Sequence, residues 1–201
     1  MKSDLKNQIV KNIFTKEEME IIYDHLNHAS DENLYFHPEL GYKAYYWGMP
    51  QSIQDKVLSI AQQYSDVPLK LTEVSAARYS NGYIKPPNLY PHIDSFEAPR
   101  FTFDIQLKST RNWTIVVEGK EFVLRDNEAI IFSGTNQLHW RTKTTFKDDD
   151  IVDMLFCHFS EDSDNPTLNT KEFTNHMMER EEEFKEMYYS DTLDDYYKNK
   201  E

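Results

Sequence analysis

The 201-residue sequence predicts a mainly β domain with flanking helices, built as a sandwich or barrel, and three observations carry that prediction. Apolar residues recur at helical spacing up to about residue 65, and from Leu71 the period drops from about 3.6 to 2. In Phe101-Thr102-Phe103-Asp104-Ile105-Gln106-Leu107 apolar and polar residues alternate without a break, as on a strand with two different faces. Further on, short apolar runs are separated by turn residues roughly every 8 to 12 positions, the rhythm of an all-β architecture.

The elements follow in order. Thr15 stands three residues before Glu18, with Phe14 and Met19 around them, so a capping box and a hydrophobic staple open a helix from about Lys16 to His28. Residues 31 to 48 are aromatic and polar without a clear period, and read as loops with room for one short strand. Pro50 opens a second helix, with Ile53, Val57, Ile60 and Tyr64 on one side, ending near Ser65. Trp113 to Val117 and Phe122 to Leu124 flank Glu118-Gly119-Lys120 as a hairpin, and Ala129 to Phe132, Leu138 to Thr145 and Ile151 to Phe159 complete the strands. These elements place a sandwich or barrel with N-terminal helices in residues 1–160 and an acidic helical tail in 161–201. In the tail, Phe173, Met177, Phe184 and Met187 or Tyr188 recur at roughly helical spacing, either as a helix packed on the barrel or as a free partner-binding helix.

With 39% hydrophobic and 28% charged residues, the chain has the balance of one globular domain with appendages, and five glycines exclude a collagen-like chain. The net charge is −13, of which residues 161–201, with 13 acids against 5 bases, supply −8. That balance argues against general nucleic-acid binding and against anionic membranes, and makes the tail a solvated candidate for a partner contact or a self-contact. Cys157 is the lone cysteine, and Met1-Lys2-Ser3-Asp4-Leu5 lacks the apolar run of a signal peptide. No membrane span and a reducing, cytoplasmic setting are the expectations.

His92-Ile93-Asp94 places an imidazole and a carboxylate two residues apart, so on extended backbone both point to one side and can share a metal ion. His37-Pro38-Glu39 has the same spacing, but it lies in an aperiodic, proline-broken stretch where no strand partner is expected. His139 follows 47 residues after His92, inside a strand on which His139, Arg141 and Lys143 take one face and Leu138, Trp140 and Thr142 the other. Two histidines and one carboxylate on one face of a metal leave positions open for other ligands, the arrangement that suits non-haem Fe(II). Zinc more often closes its shell with a fourth side chain. His92, Asp94 and His139 are therefore the candidate metal ligands, and a salt-bridged pair beside an unrelated core histidine is the plain alternative.

These residues resemble the Fe(II)- and 2-oxoglutarate-dependent dioxygenases, and most nearly their prolyl-4-hydroxylase-like branch. Ile13-Phe14-Thr15-Lys16-Glu17-Glu18 is similar to that branch's lead-in to its first helix. Ala77-Arg78-Tyr79-Ser80-Asn81-Gly82 followed by Pro91-His92-Ile93-Asp94 resembles its Tyr-x-x-Gly and His-x-Asp segments, and Asn127 to Phe132 followed by His139 resembles its turn, apolar strand and distal histidine. The resemblance implies a double-stranded β-helix, or jelly roll, with the metal at its mouth and His92, Asp94 and His139 as the catalytic centre. It implies Fe(II) as cofactor, 2-oxoglutarate and O2 as co-substrates, and hydroxylation of a small-molecule or peptide substrate.

The sequence departs from that pattern at one place. Where the branch carries an Arg or Lys for the far carboxylate of 2-oxoglutarate, this chain reads Lys147-Asp148-Asp149-Asp150-Ile151. Arg141, one pleat from His139 on the same face, is the first replacement, followed by Arg100 and then Lys147. Tyr79 resembles the family tyrosine whose hydroxyl helps hold the co-substrate, with a core aromatic as the alternative. His158 alternates with Met154 and Phe156 and reads as a hydrogen-bonded core histidine. Two other functions stand beside the dioxygenase: a catalytically silent, cupin-like metal- or ligand-binding jelly roll, and an interaction protein that recruits a partner through its tail.

Overall fold

The computed structural model describes residues 6–28, 34–37, 42–45, 49–81, 86–94, 101–161 and 171–199, with backbone alone at 34–37, 42–45, 161 and 171–178. Two antiparallel sheets face one another. The larger has seven strands, β1 (Gln8–Lys11), β2 (Leu34–His37), β3 (Tyr42–Tyr45), β4 (Leu69–Ser80), β5 (Phe101–Ser109), β8 (Glu128–Phe132) and β10 (Ile151–Glu161). Their order across the sheet is β1-β8-β5-β10-β4-β3-β2. The smaller sheet is β7-β6-β9, from β6 (Ile115–Val117), β7 (Lys120–Phe122) and β9 (His139–Arg141).

Helices cover both outer faces. The helices α1 (Lys16–Asn27) and α2 (Gln51–Ala61, continued by a 3-10 turn to Tyr64) lie on the larger sheet, where Ile22, Ile53, Val57 and Ala61 bury against Phe101, Phe103, Ile105 and Leu107. The capping box at α1 is formed as the sequence predicts: Glu18 N–H donates to Thr15 Oγ1 at 3.2 Å and Thr15 N–H to Glu18 Oε2 at 2.7 Å. On the opposite side α3 (Lys171–Tyr189) and α4 (Leu193–Lys198) lie on the smaller sheet, with Phe184, Tyr188 and Leu193 buried against Val116, Leu138 and Trp140. This part of the tail is packed, not solvated. Among the described residues no helix is long and apolar enough to cross a membrane.

Covering both faces has a consequence for β5, whose residues Phe101 to Leu107 are all buried. The apolar set faces α1 and α2, so Thr102, Asp104 and Gln106 look into the space between the sheets. Other local features are set by turn chemistry. Glu118 and Gly119 both adopt positive φ, 49° and 79°, the two-residue turn that matches the twist of the β6–β7 hairpin. Asn127, also at positive φ, accepts Phe14 N–H at 2.8 Å and donates to Phe14 O at 2.7 Å, fastening the chain ahead of α1 to the start of β8.

Two expectations need correction. The stretch from 31 to 48 holds two strands paired antiparallel, with His37 opposite Tyr42, and not loops around one strand: Leu34, Tyr35 and Phe36 follow one another without a polar residue between them, so no period of 2 shows in the sequence. His37 therefore does have a strand partner, while Pro38 and Glu39 lie outside the described residues. The strand expected at Leu138–Thr145 is short, His139–Arg141, because the chain turns away to pack Phe146 inside the barrel.

Candidate metal centre

His139 opens β9, and His92 lies in an extended segment joined to it by one antiparallel bridge. His92 N–H donates to His139 O at 3.1 Å and His139 N–H to His92 O at 3.0 Å. The bridge sets the two imidazole centroids 4.2 Å apart. Asp94, two residues on, donates its N–H to Gly134 O at 2.9 Å. One ligand atom from each of His92, Asp94 and His139 lies within 4.8 Å of the others. The three residues that the sequence singled out are brought together, and among the described residues no fourth His, Cys or carboxylate joins them at that range.

Backbone carbonyls orient both rings. His92 Nδ1 lies 2.9 Å from Tyr90 O and His139 Nδ1 lies 3.0 Å from Gln137 O. A carbonyl only accepts, so Nδ1 carries the proton in each neutral ring and Nε2 keeps its lone pair for a ligand. Burial would push the Asp94 carboxyl up, but His139, whose Nε2 is 3.5 Å from Oδ1, together with His158 and His92 holds it below the usual carboxylate range. Burial, with His139 alongside, takes His92 down to about 4. Burial also opposes a charge on His139, yet the Asp94 carboxylate outweighs it and raises that imidazole. A carboxylate and two imidazoles compressed in this way suit a cation that replaces the His139 proton.

Three further residues stand beside the centre: His158, which the sequence places in the core, and Thr102 and Asp104, which it does not single out. His158 Nε2 lies 3.7 Å from Asp94 Oδ2 and its Nδ1 3.7 Å from Glu73 Oε2. Nδ1 makes no hydrogen bond, so the hydrogen-bonded core histidine gives way to one suspended between two carboxylates. Thr102 Oγ1 donates to the same Asp94 Oδ2 at 3.2 Å. Asp104, next inward on β5, is 5% exposed, and its carboxylate makes no hydrogen bond or ion pair with a described residue. Burial pushes its carboxyl up to about 6, Asp94 adds to that, and His139, Arg141 and His158 oppose it. The signal for all three is alternation: Thr102 and Asp104 share a polar face, and His158 shares one with Met154 and Phe156.

Arg141 is buried on the inward face of β9. Its Nη1 donates to Trp113 O at 2.5 Å, its Nη2 lies 3.5 Å from Met154 Sδ, and its guanidinium is 5.3 Å from the Trp113 ring. It forms no ion pair with a described residue, and burial lowers its pKa against the pull of Asp104 and Tyr79. Tyr79 is buried in the same cluster, edge-on to Trp113 at 5.0 Å. Arg100 lies outside the described residues. Lys147 is in an exposed turn, and the acids after it have local work: Asp150 accepts Lys147 N–H at 2.8 Å and Arg111 Nη1 at 2.8 Å.

No protein-family model matches the sequence, and no curated protein matches it either. Solved structures do. The chain is similar to the non-haem α-ketoglutarate-dependent epimerase SnoN from nogalamycin biosynthesis, at 11% identity and TM-score 0.62 over 77% of this chain and 78% of that one. It is similar to HygX from Streptomyces hygroscopicus, solved with nickel, 2-oxoglutarate and hygromycin B, at 11% identity and TM-score 0.59 over 78% and 83%. A prolyl hydroxylase from Trichoplax adhaerens, in complex with a peptide fragment of hypoxia inducible factor, matches at 11% identity and TM-score 0.57 over 83% and 89%. With its two facing antiparallel sheets and flanking helices, the chain has the jelly-roll fold of the 2-oxoglutarate–Fe(II) oxygenases.

Proposed function

We propose that this chain is an Fe(II)- and 2-oxoglutarate-dependent dioxygenase, a hydroxylase of a small-molecule or peptide substrate. The observation that carries the reading is the pairing of a three-residue His-Asp-His centre with a buried guanidinium, Arg141, two residues deeper on the same strand face. Nε2 of His92, Nε2 of His139 and a carboxylate oxygen of Asp94 would hold Fe(II), and this donor set fits a metal that keeps positions open. When bound, Fe(II) with 2-oxoglutarate and O2 supplies oxidation of a C–H bond, coupled to conversion of the co-substrate to succinate and CO2.

The remaining roles belong to the chain's own residues. Two residues along a strand span about 7 Å, so Arg141 sits deep enough to take the far carboxylate of a co-substrate held at the centre. Tyr79 stands on β4 of the larger sheet, near enough to act on the Arg141 charge, and adds a hydroxyl to the same interior. Thr102 and His158 hold Asp94 Oδ2, which leaves Oδ1 for the metal. Ile130, Phe132 and Met154 line the interior and exclude water. HygX with hygromycin B and the Trichoplax prolyl hydroxylase with a peptide support both substrate classes. Anaerobic addition of 2-oxoglutarate to the Fe(II)-loaded protein should produce a visible charge-transfer band, and a screen for succinate should then find the substrate. Loaded protein that gives neither would leave the catalytically silent reading in possession.

A further inference from the structure

Helix α3 lies across the outside of the two segments that carry the candidate ligands, and its contacts reach past the apolar packing. Arg180 makes two hydrogen bonds to Glu118, at 2.7 and 3.2 Å, and Glu118 Oε1 accepts the N–H of Leu138, next to His139, at 2.7 Å. The Tyr188 hydroxyl lies 2.7 Å from Asn88 Oδ1 and 3.3 Å from Arg141 O, bridging the segment before His92 to the end of β9. Glu181 Oε2 accepts the N–H of Ile93, between the two ligands His92 and Asp94, at 3.4 Å.

The last contact follows from backbone geometry. The N–H groups of His92 and Asp94 are used on one side, toward His139 O and Gly134 O. On extended backbone the N–H of Ile93 points the other way, where among the described residues no strand continues the smaller sheet. The Glu181 carboxylate supplies this half-buried donor with its partner among the described residues. The ligand segment is thus held from inside by β9 and from outside by the C-terminal helix.

We propose that Glu181 is a positioning residue of the metal centre, fixing His92 and Asp94 against His139 through the Ile93 amide, and that α3 is thereby part of the site. This rests on the reading of His92, Asp94 and His139 as metal ligands. The test is Co(II) binding to the full-length chain, followed by titration and by the d–d absorption of the bound ion. Glu181→Ala should weaken Co(II) roughly tenfold or more and alter the spectrum. Glu181→Gln, whose amide oxygen accepts the same bond, should stay within about threefold of wild type. Glu183→Ala, which removes an equal charge from an exposed position on the same helix, should behave as wild type. Metal-free melting temperatures should agree across the set. The proposal is overturned if Glu181→Ala binds Co(II) as wild type does, or if Glu181→Gln or Glu183→Ala loses as much as Glu181→Ala. A wild-type chain that takes up no Co(II) would overturn the metal-centre reading, and this inference with it.

Discussion

Gly134 and Asp94 are fitted to one another: Gly134 O accepts the Asp94 N–H at 2.9 Å, and a Cβ at position 134 would stand 1.6 Å from Asp94 Oδ2 and 2.7 Å from Thr102 Oγ1. The carboxylate occupies the space that any other residue would fill. Gly134→Ala should therefore displace a ligand while leaving the core alone, and weaken divalent-metal binding by about tenfold or more with little change in melting. His139→Ala removes one of three ligands and should abolish tight binding. Stoichiometric iron retained in His139→Ala would defeat the assignment.

Arg141 is a buried cation without an ion-pair partner among the described residues, next to a candidate centre whose proposed co-substrate carries two carboxylates. Arg141→Ala, and Arg141→Met where the cavity itself is harmful, should leave Fe(II) binding nearly unchanged and weaken 2-oxoglutarate by roughly 2 to 5 kcal/mol, about thirtyfold or more. Arg100→Ala should do much less. Titration of 2-oxoglutarate into the loaded variants decides between them, and the reverse ranking would move the anchor to Arg100.

Asp104 gives the metal-free protein a pH signature. Its carboxyl titrates near 3.8 when unfolded and, raised by burial, near 6 in the fold. Between those values the folded chain holds a proton that the unfolded chain has released, so stability falls as pH rises through the window, and the full penalty stands above about pH 6. Asp104→Asn should stabilise the metal-free protein by about 2 to 3 kcal/mol at pH 7 and by almost nothing near pH 3.5. Urea midpoints at the two pH values measure it, and a gain equal at both would show that the carboxyl is not protonated by burial.

Phe184 is 2% exposed, with Tyr196 and Tyr197 ring centroids 5.0 and 5.6 Å away. Phe184→Ala should cost about 3 to 5 kcal/mol in equilibrium unfolding. A loss under about 1 kcal/mol would return the tail to the solvated appendage that its charge suggests.

What the sequence by itself determined was local. The capping box at Thr15, the period-2 run of β5, the two-residue spacing of His92 and Asp94 and the shared face of His139 and Arg141 depend on backbone geometry over a few residues, which spacing reports directly. Tertiary structure decided what each face meets. Alternation in Phe101 to Leu107 separates two faces but does not say that helices cover one while the other, with Thr102 and Asp104, lines the barrel. His158, Gly134 and Glu181 reach the centre from positions 64, 40 and 87 residues beyond Asp94, through strand pairing and helix docking that leave no mark in local spacing. Contacts closed over loops of that length are selected by how sheets and helices stack, and only the folded chain holds them together.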